Sequence, residues 1–447
     1  MTRFYRLRGG FPNSLATTVT VALAGLCSGI VLARTLAPGE RGEFAAVLLW
    51  PGAVGILGEL GLSFAFSYYA AKRRESLSGL WTLAWALSVG WGATLALLST
   101  GLLSSIATLS PVAMESLVIA MVTVPLSLAT GFQSHLLLGS GSLLGFNGIR
   151  AYAAVSYAIG VATVAATGLA GIKAYTFVFL LAQGSTCLVA SIWTANQLRP
   201  SFRWDGELVR PVFVYGFKTY VASIAAQMNL RLDQLLMTSL VSASQLGLYV
   251  VAVAISSILS PLYGALAVVV IPRVSHTPCL RSGGELTLRY TGMGLAIGIP
   301  VATVTALSVP WLLPSLFGTE YSGAILTAQI LTIAAVFQGA NLVLGNGLRS
   351  LGYPDKPAVA ESVGLMLTAG LLVVVLPHWG ALGAAAVSLG VYLLVALAQT
   401  GFVLRVAALR WQPEWLSIWL NQRLWGWKPK EHGSEASDSS SPDFGRR

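Results

Sequence analysis

The chain has 447 residues, of which 55% are hydrophobic and only 10% charged, with a mean hydropathy of +0.73 and a net charge of +10. Soluble domains carry about 25% charged residues, and a soluble chain of this length cannot bury so much apolar surface in one core. A cytosolic enzyme, a disordered protein and a secreted disulfide scaffold are excluded, which leaves an integral membrane protein.

Taken in order, the hydrophobic runs predict about twelve membrane-spanning helices and no strands, an all-α polytopic protein. The first, Ser14–Ala33, follows a short basic leader and is too long for a signal-peptide core, so it reads as an uncleaved span. The next five are Phe44–Ala71, Leu80–Ile106, Val112–Leu138, Ala151–Leu169 and Tyr175–Ala195. A linker over 199–211 leads to Val212–Leu240, Leu246–Ile271, Tyr290–Leu316, Ala324–Leu348, Ala358–Leu376 and Leu382–Val406. Short loops make neighbouring spans antiparallel.

The basic residues set the orientation. With a cytoplasmic N-terminus, 22 of the 27 Lys and Arg residues fall inside, including Lys72-Arg73-Arg74, Arg199, Arg203, Arg273, Arg281, Arg289 and those of the tail. Only Arg34, Arg41 and Lys173 fall outside, while Lys218 and Arg231 lie within a span. The asymmetry predicts cytoplasmic N- and C-termini and explains the net charge without nucleic acid. Residues 409–428 carry Trp415, Leu416, Trp419, Leu420 and Trp427 among basic residues. They read either as an interfacial amphipathic helix or as an aromatic extension of the last span. The polar stretch 429–447 is expected to be disordered.

The halves resemble each other. Leu36, Gly42 and Phe44 align with Leu240, Gly247 and Tyr249, and Leu144-Gly145-Phe146 aligns with Leu351-Gly352-Tyr353. The nearly constant offset of about 205 residues predicts a six-helix repeat: an N-terminal lobe over 1–198 and a C-terminal lobe over 212–408. An even number of helices per repeat makes the lobes parallel, with a central cavity between them.

Three segments carry a family resemblance: LARTLAPGERGEFAA (Leu32–Ala46), LGLYVVAVAISSILSPLYGALAVVVIPRVS (Leu246–Ser275), and LGYPDKPAVAES (Leu351–Ser362) followed by LPHWGALGAAAVSLGVYL (Leu376–Leu393). In order and spacing they resemble the polysaccharide and O-antigen flippases of the multidrug/oligosaccharidyl-lipid/polysaccharide exporter superfamily. The resemblance implies two six-helix lobes around a cavity that opens alternately to each side. It also implies a bacterial inner-membrane protein that moves a lipid-diphosphate-linked oligosaccharide, of undecaprenyl-diphosphate type, to the outer leaflet. Membrane lipids and glycan polymerase machinery are the expected partners.

Against that background the polar residues of the spans become site candidates. In the seventh span Tyr220, Gln227, Arg231, Gln234 and Thr238 are spaced by 7, 4, 3 and 4 and form one helical stripe. Arg231 suits a diphosphate, unless it pairs with a carboxylate. Asp233 falls on another face, above Asn229, and with Glu59 of the second span is a coupling-ion candidate, for protons or sodium. Thr17 and Thr20 approximate the equivalent stripe in the first span. Gln338 and Asn341 suit sugar hydroxyls, while Arg34 and Arg41 suit a gate or loop role. Gln133 and His135 are weaker candidates. The sequence holds no metal-spaced His/Cys cluster and no phosphate-binding Gly-rich loop, and Cys27, Cys187 and Cys279 are unclustered, so neither a metal nor a cofactor is expected.

Two competitors are a cation-coupled drug antiporter of the same superfamily and an intramembrane glycan polymerase or ligase. The first often carries an acidic residue in its first helix, which Ser14–Ala33 lacks. The second tends to carry a long outer catalytic loop, where short ones are expected here. The lipid II flippase branch adds two further helices, for which 409–428 leaves no room.

Overall fold

The computed structural model describes residues 10–72, 76–106 and 109–409. The expected interfacial segment and tail, and most of the Lys72-Arg73-Arg74 loop, lie outside these residues. The described chain is all-helical. The first six passes are α1 (Gly10–Thr35), α2 (Pro38–Gly58) with α3 (Leu62–Lys72), α4 (Leu77–Ala86) with α5 (Gly92–Ile106), α6 (Pro111–Met121) with α7 (Thr123–Ser140), α8 (Leu143–Thr167) and α9 (Ile172–Leu198). The next six are α10 (Gly206–Asn229) with α11 (Leu232–Leu240), α12 (Ala243–Ser256) with α13 (Ser260–Ser275), α14 (Leu280–Phe317), α15 (Ile325–Ser350) and the two limbs of α16 (Asp355–Val406). Gly380, at φ 50° and ψ −136°, breaks α16 into those limbs, as expected from the two runs read there.

Among the described residues nine helical stretches are long and apolar enough to span a membrane, and the α2–α3 pair, bent by 48°, makes ten. The second limb of α16 and the polar α10–α11 pair complete the twelve passes. Their outer surface is apolar: Leu97, Leu169, Val374 and Trp311 are each at least 66% exposed, as side chains in contact with lipid should be.

Two buried clusters hold the passes together. One gathers Phe44, Leu62, Phe66, Leu80, Leu117, Phe132 and Tyr175 of the first six passes. The other gathers Tyr249, Ile255, Val309, Leu313, Phe317, Leu372 and Val391 of the last six, with Ala33, Ala45, Ala46 and Leu49 of α1 and α2 joining it. Alanine is frequent in both, because association inside lipid depends on close backbone approach.

Helix ends mark two faces of the bundle. The face with the start of α1 and the ends of α3, α9 and α13 bears Lys72, Arg199, Arg273 and Arg349, and is called here the basic face. At the opposite face α2 and α12 cross. The pairing of Gly42 with Gly247 read from the repeat has a physical counterpart, because these glycines meet at the crossing. A Cβ on Gly42 would stand 1.7 Å from the Ala243 carbonyl oxygen, and one on Gly247 2.0 Å from that of Pro38. Nearby, the Arg34 guanidinium donates to the carbonyls of Leu316 (2.8 Å) and Ser315 at the end of α14. Tyr321 donates to the Leu36 carbonyl at 2.8 Å. All three bonds join one lobe to the other and satisfy carbonyls that a helix terminus leaves free. The bundle is therefore shut at this face.

At the basic face the lobes meet through α10. Its Leu208 and Val212 enter the core of the first lobe. Tyr215 stacks on Tyr68 of α3, with centroids 4.4 Å apart, and Tyr69 donates to the Pro211 carbonyl at 3.4 Å.

Candidate functional site

The seventh pass is not the continuous helix its spacing implied. It breaks at Leu230-Arg231, where Arg231 adopts φ −130° and ψ −16° and stands outside both α10 and α11. The break dissolves the expected stripe. Tyr220 donates across the lobes to the Leu57 carbonyl at 3.3 Å. Gln234 is buried, and Thr238 bonds the Leu235 carbonyl of its own helix at 2.7 Å. Gln227 is half-buried and Arg231 exposed. Among the described residues no carboxylate lies within ion-pairing distance of Arg231, so pairing with Glu59 is not seen. A guanidinium exposed to lipid would be costly. Lys218, not singled out by sequence reasoning, is also exposed on α10.

On the other side of this pass lies a buried polar network. Asp233, 5% exposed, accepts from the Tyr249 hydroxyl of α12 and from the Gln234 N–H (2.7 Å). Asn229, 4% exposed, donates to Glu361 at 3.3 Å and accepts from Thr368 at 3.2 Å. Gln399 donates to the second Glu361 oxygen at 3.2 Å, and Tyr392 to the Asn229 carbonyl at 3.4 Å. The network joins α10, α11, α12 and both limbs of α16. Sequence reasoning does not single out Tyr249, Glu361, Thr368, Tyr392 or Gln399, because their partners are distant in sequence.

Glu59 sits at the break between α2 and α3, half-buried, with Ser63 about one turn further on. Leu60 and Gly61 take left-handed φ of 49° and 68° there. Gly61 packs so closely on α10 that a Cβ would lie 2.3 Å from the Gly216 carbonyl oxygen. The carbonyl freed at Gly58 accepts from the Trp91 indole at 2.9 Å, and Trp91 ends the π-helical turn Leu87–Trp91 between α4 and α5.

The remaining candidates are scattered. Thr17 is 9% exposed, and Thr20 bonds the Ala16 carbonyl of its own helix at 2.9 Å. Gln338 is half-buried, but Asn341 is 7% exposed and donates to the Tyr392 carbonyl at 3.0 Å. In this state Asn341 ties α15 to α16 through its Nδ2, while its Oδ1 has no partner. Gln133 donates to Ser191 at 3.3 Å, and His135 lies edge-on to Phe64 and Phe146. Arg34 makes the cross-lobe bonds described above. Arg41 is buried, with Phe44 5.9 Å away. No group of three metal-ligating side chains occurs among the described residues.

The model of the family described as "Polysaccharide biosynthesis protein" matches residues 31–326, well over half of the chain and both sides of the crossing. The chain belongs to this family. Its fold is shared with solved transporters. An inward-facing multidrug resistance MATE family transporter aligns at 15% identity over 87% of this chain and 95% of its own, with a TM-score of 0.72. The lipid II flippase MurJ, in an inward closed conformation, aligns at 14% identity over 91% of each chain, with a TM-score of 0.67. A superfamily transporter from Pyrococcus furiosus, whose binding pocket is described as of reverse polarity, aligns at 14% over 89% of this chain and 94% of its own, with a TM-score of 0.59. No curated protein gives a significant match. The polysaccharide biosynthesis family member is thus a multi-span membrane protein on a transporter fold.

Proposed function

We propose that this protein is a flippase for a lipid-diphosphate-linked oligosaccharide of undecaprenyl-diphosphate type in the bacterial cytoplasmic membrane. It acts by alternating access, with both termini cytoplasmic. The observation that carries the reading is Arg231: an exposed guanidinium without an ion pair among the described residues, at a break within a pass. The fork of an arginine matches phosphate oxygens in a way that a drug cation would not exploit. Gln227 and Lys218 supply further polar contacts along the same pass. The closure at Gly42 and Gly247, together with the Arg34 bonds, supports a state shut toward the outer leaflet, from which transport requires those contacts to part.

Asp233 is the favoured coupling site, because it is a buried carboxylate whose neighbours are hydroxyls and amides rather than cations in contact. Glu59, at the other break, is the second. Cavity roles for Tyr220, Gln234 and Thr17 are secondary, since each is engaged or buried in this state.

The test uses the purified chain in proteoliposomes and a fluorescent lipid-diphosphate oligosaccharide, read by its accessibility to an impermeant quencher. Arg231→Ala is expected to lose transport at unchanged protein level, and Arg231→Lys to keep part of it, since the charge survives without the fork. Wild-type transport by Arg231→Ala at equal protein level would overturn the phosphate role.

A further inference from the structure

Arg41 stands in the second turn of α2, beside the crossing, and is only 8% exposed. Its Nε is sealed from solvent without a hydrogen-bond partner, and its side chain makes no ion pair among the described residues. The carboxylates next to it in sequence are engaged elsewhere. Glu40 accepts from the Ala37 N–H at 3.3 Å, and Glu43 accepts from Ser110, the N-cap of α6, at 2.6 Å. The Phe44 ring, 5.9 Å away, offers a face but no charge.

A buried guanidinium with neither a carboxylate nor a hydrogen bond is strongly disfavoured unless another anion completes it. Its surroundings increase that demand. It lies near the positive end of α2, and the first turn of α12 packs against the same turn. Two helix N-termini and a guanidinium thus converge. The titratable groups within electrostatic reach are the phenols of Tyr157 on α8 and Tyr321. Tyr321 is committed to the Leu36 carbonyl, whereas Tyr157 makes no hydrogen bond to the described residues. A guanidinium and a phenol close enough to feel its charge can both donate to one oxyanion.

We propose that Arg41 and Tyr157 form a binding site for a phosphate oxyanion beside the crossing of α2 and α12. The site is distinct from Arg231 and independent of the transport reading. Its occupant is the phosphate of a membrane lipid headgroup or free phosphate, and two arms of one experiment separate these sources. The full chain is unfolded thermally in neutral detergent with inorganic phosphate against chloride at matched ionic strength. It is also unfolded in nanodiscs of phosphatidylglycerol against phosphatidylcholine. A saturable rise in the midpoint with inorganic phosphate identifies the free ion, and a rise with phosphatidylglycerol alone identifies the headgroup. In either arm Arg41→Met is expected to abolish the rise, and Arg281→Met, at the basic face, to retain it. If Arg41→Met does not fold, Tyr157→Phe decides, with at least a tenfold loss of apparent phosphate affinity expected. No rise in either arm for the wild type, a full rise in Arg41→Met, or unchanged affinity in Tyr157→Phe would overturn the proposal.

Discussion

Gly42→Ala probes the crossing with one methyl group. The added Cβ would lie 1.7 Å from the Ala243 oxygen, 2.6 Å from its carbonyl carbon and 2.9 Å from the Gly247 nitrogen. Non-bonded carbons rest about 3.5–4.0 Å apart, so the two helices must separate by roughly 1.5–2 Å. No rotamer can absorb this, because all three obstructing atoms are backbone. Overpacking of this kind costs about 1–3 kcal/mol. Separation also strains the Tyr321–Leu36 bond, a contribution of about 0.5–1.5 kcal/mol. Alanine recovers about 0.5–1 kcal/mol over glycine in a helix, leaving a net loss of about 1–3 kcal/mol. Gly39→Ala is the matched control, in the same helix with nothing within 4 Å, and should be neutral or slightly stabilising. Gly247→Ala should behave like Gly42→Ala, and the double variant should cost less than the sum, since one separation relieves both clashes. The assay is the unfolding midpoint, followed by transport in proteoliposomes, which should fall as the closed state becomes harder to reach. A Gly42→Ala midpoint at or above that of Gly39→Ala would refute the reasoning.

Three further outcomes are expected. Arg34→Ala should loosen the closed face by freeing the Ser315 and Leu316 carbonyls, so a cysteine placed at Ala33, 5% exposed here, should react faster with a maleimide; an unchanged rate would remove Arg34 from the closure. Tyr249→Phe should destabilise the fold by about 1–3 kcal/mol by taking a hydroxyl from buried Asp233, and Asp233→Asn in the same chain should add less than its separate cost, as thermal unfolding would measure. In intact cells an impermeant reagent should label a cysteine near Glu320 and spare one in the Lys72 loop or the tail, since basic residues concentrate on the latter side; the reverse pattern would invert the orientation.

The twelve passes were legible because lipid demands long apolar runs, and every run read from the sequence corresponds to helix in the structure. Gly42 and Gly247 were legible as a repeat pair, although nothing in the sequence said that they touch. The breaks were not legible. Regular spacing from Tyr220 to Thr238 argued for one helix, but Arg231 leaves helical geometry where Tyr220 has already crossed to the Leu57 carbonyl of the other lobe. The α2–α3 break likewise depends on Trp91, which reaches Gly58 from a separate pass. Asp233 could be recognised as a buried carboxylate, but not its bond to Tyr249. Spacing shows which residues share a helix face, whereas a carbonyl freed by a kink is satisfied by whatever neighbour the tertiary fold supplies.

The polarity of the seventh pass bears on how the chain is assembled. The α10–α11 pair is not among the stretches that pass the length-and-hydropathy test for a span, and it carries Lys218, Arg231 and Asp233. Charged residues near the middle of a segment weigh against its lateral release from the translocon into lipid. The groups that satisfy Asn229, namely Glu361, Thr368 and Tyr392, emerge from the ribosome more than 130 residues later. Until then the nascent segment has partners in the first six passes, among them Tyr68, Tyr69, Leu57, Gly61 and the core around Leu208 and Val212. The first passes therefore offer α10 its earliest packing partners. A chain that stops before α16 leaves Asn229 without those partners.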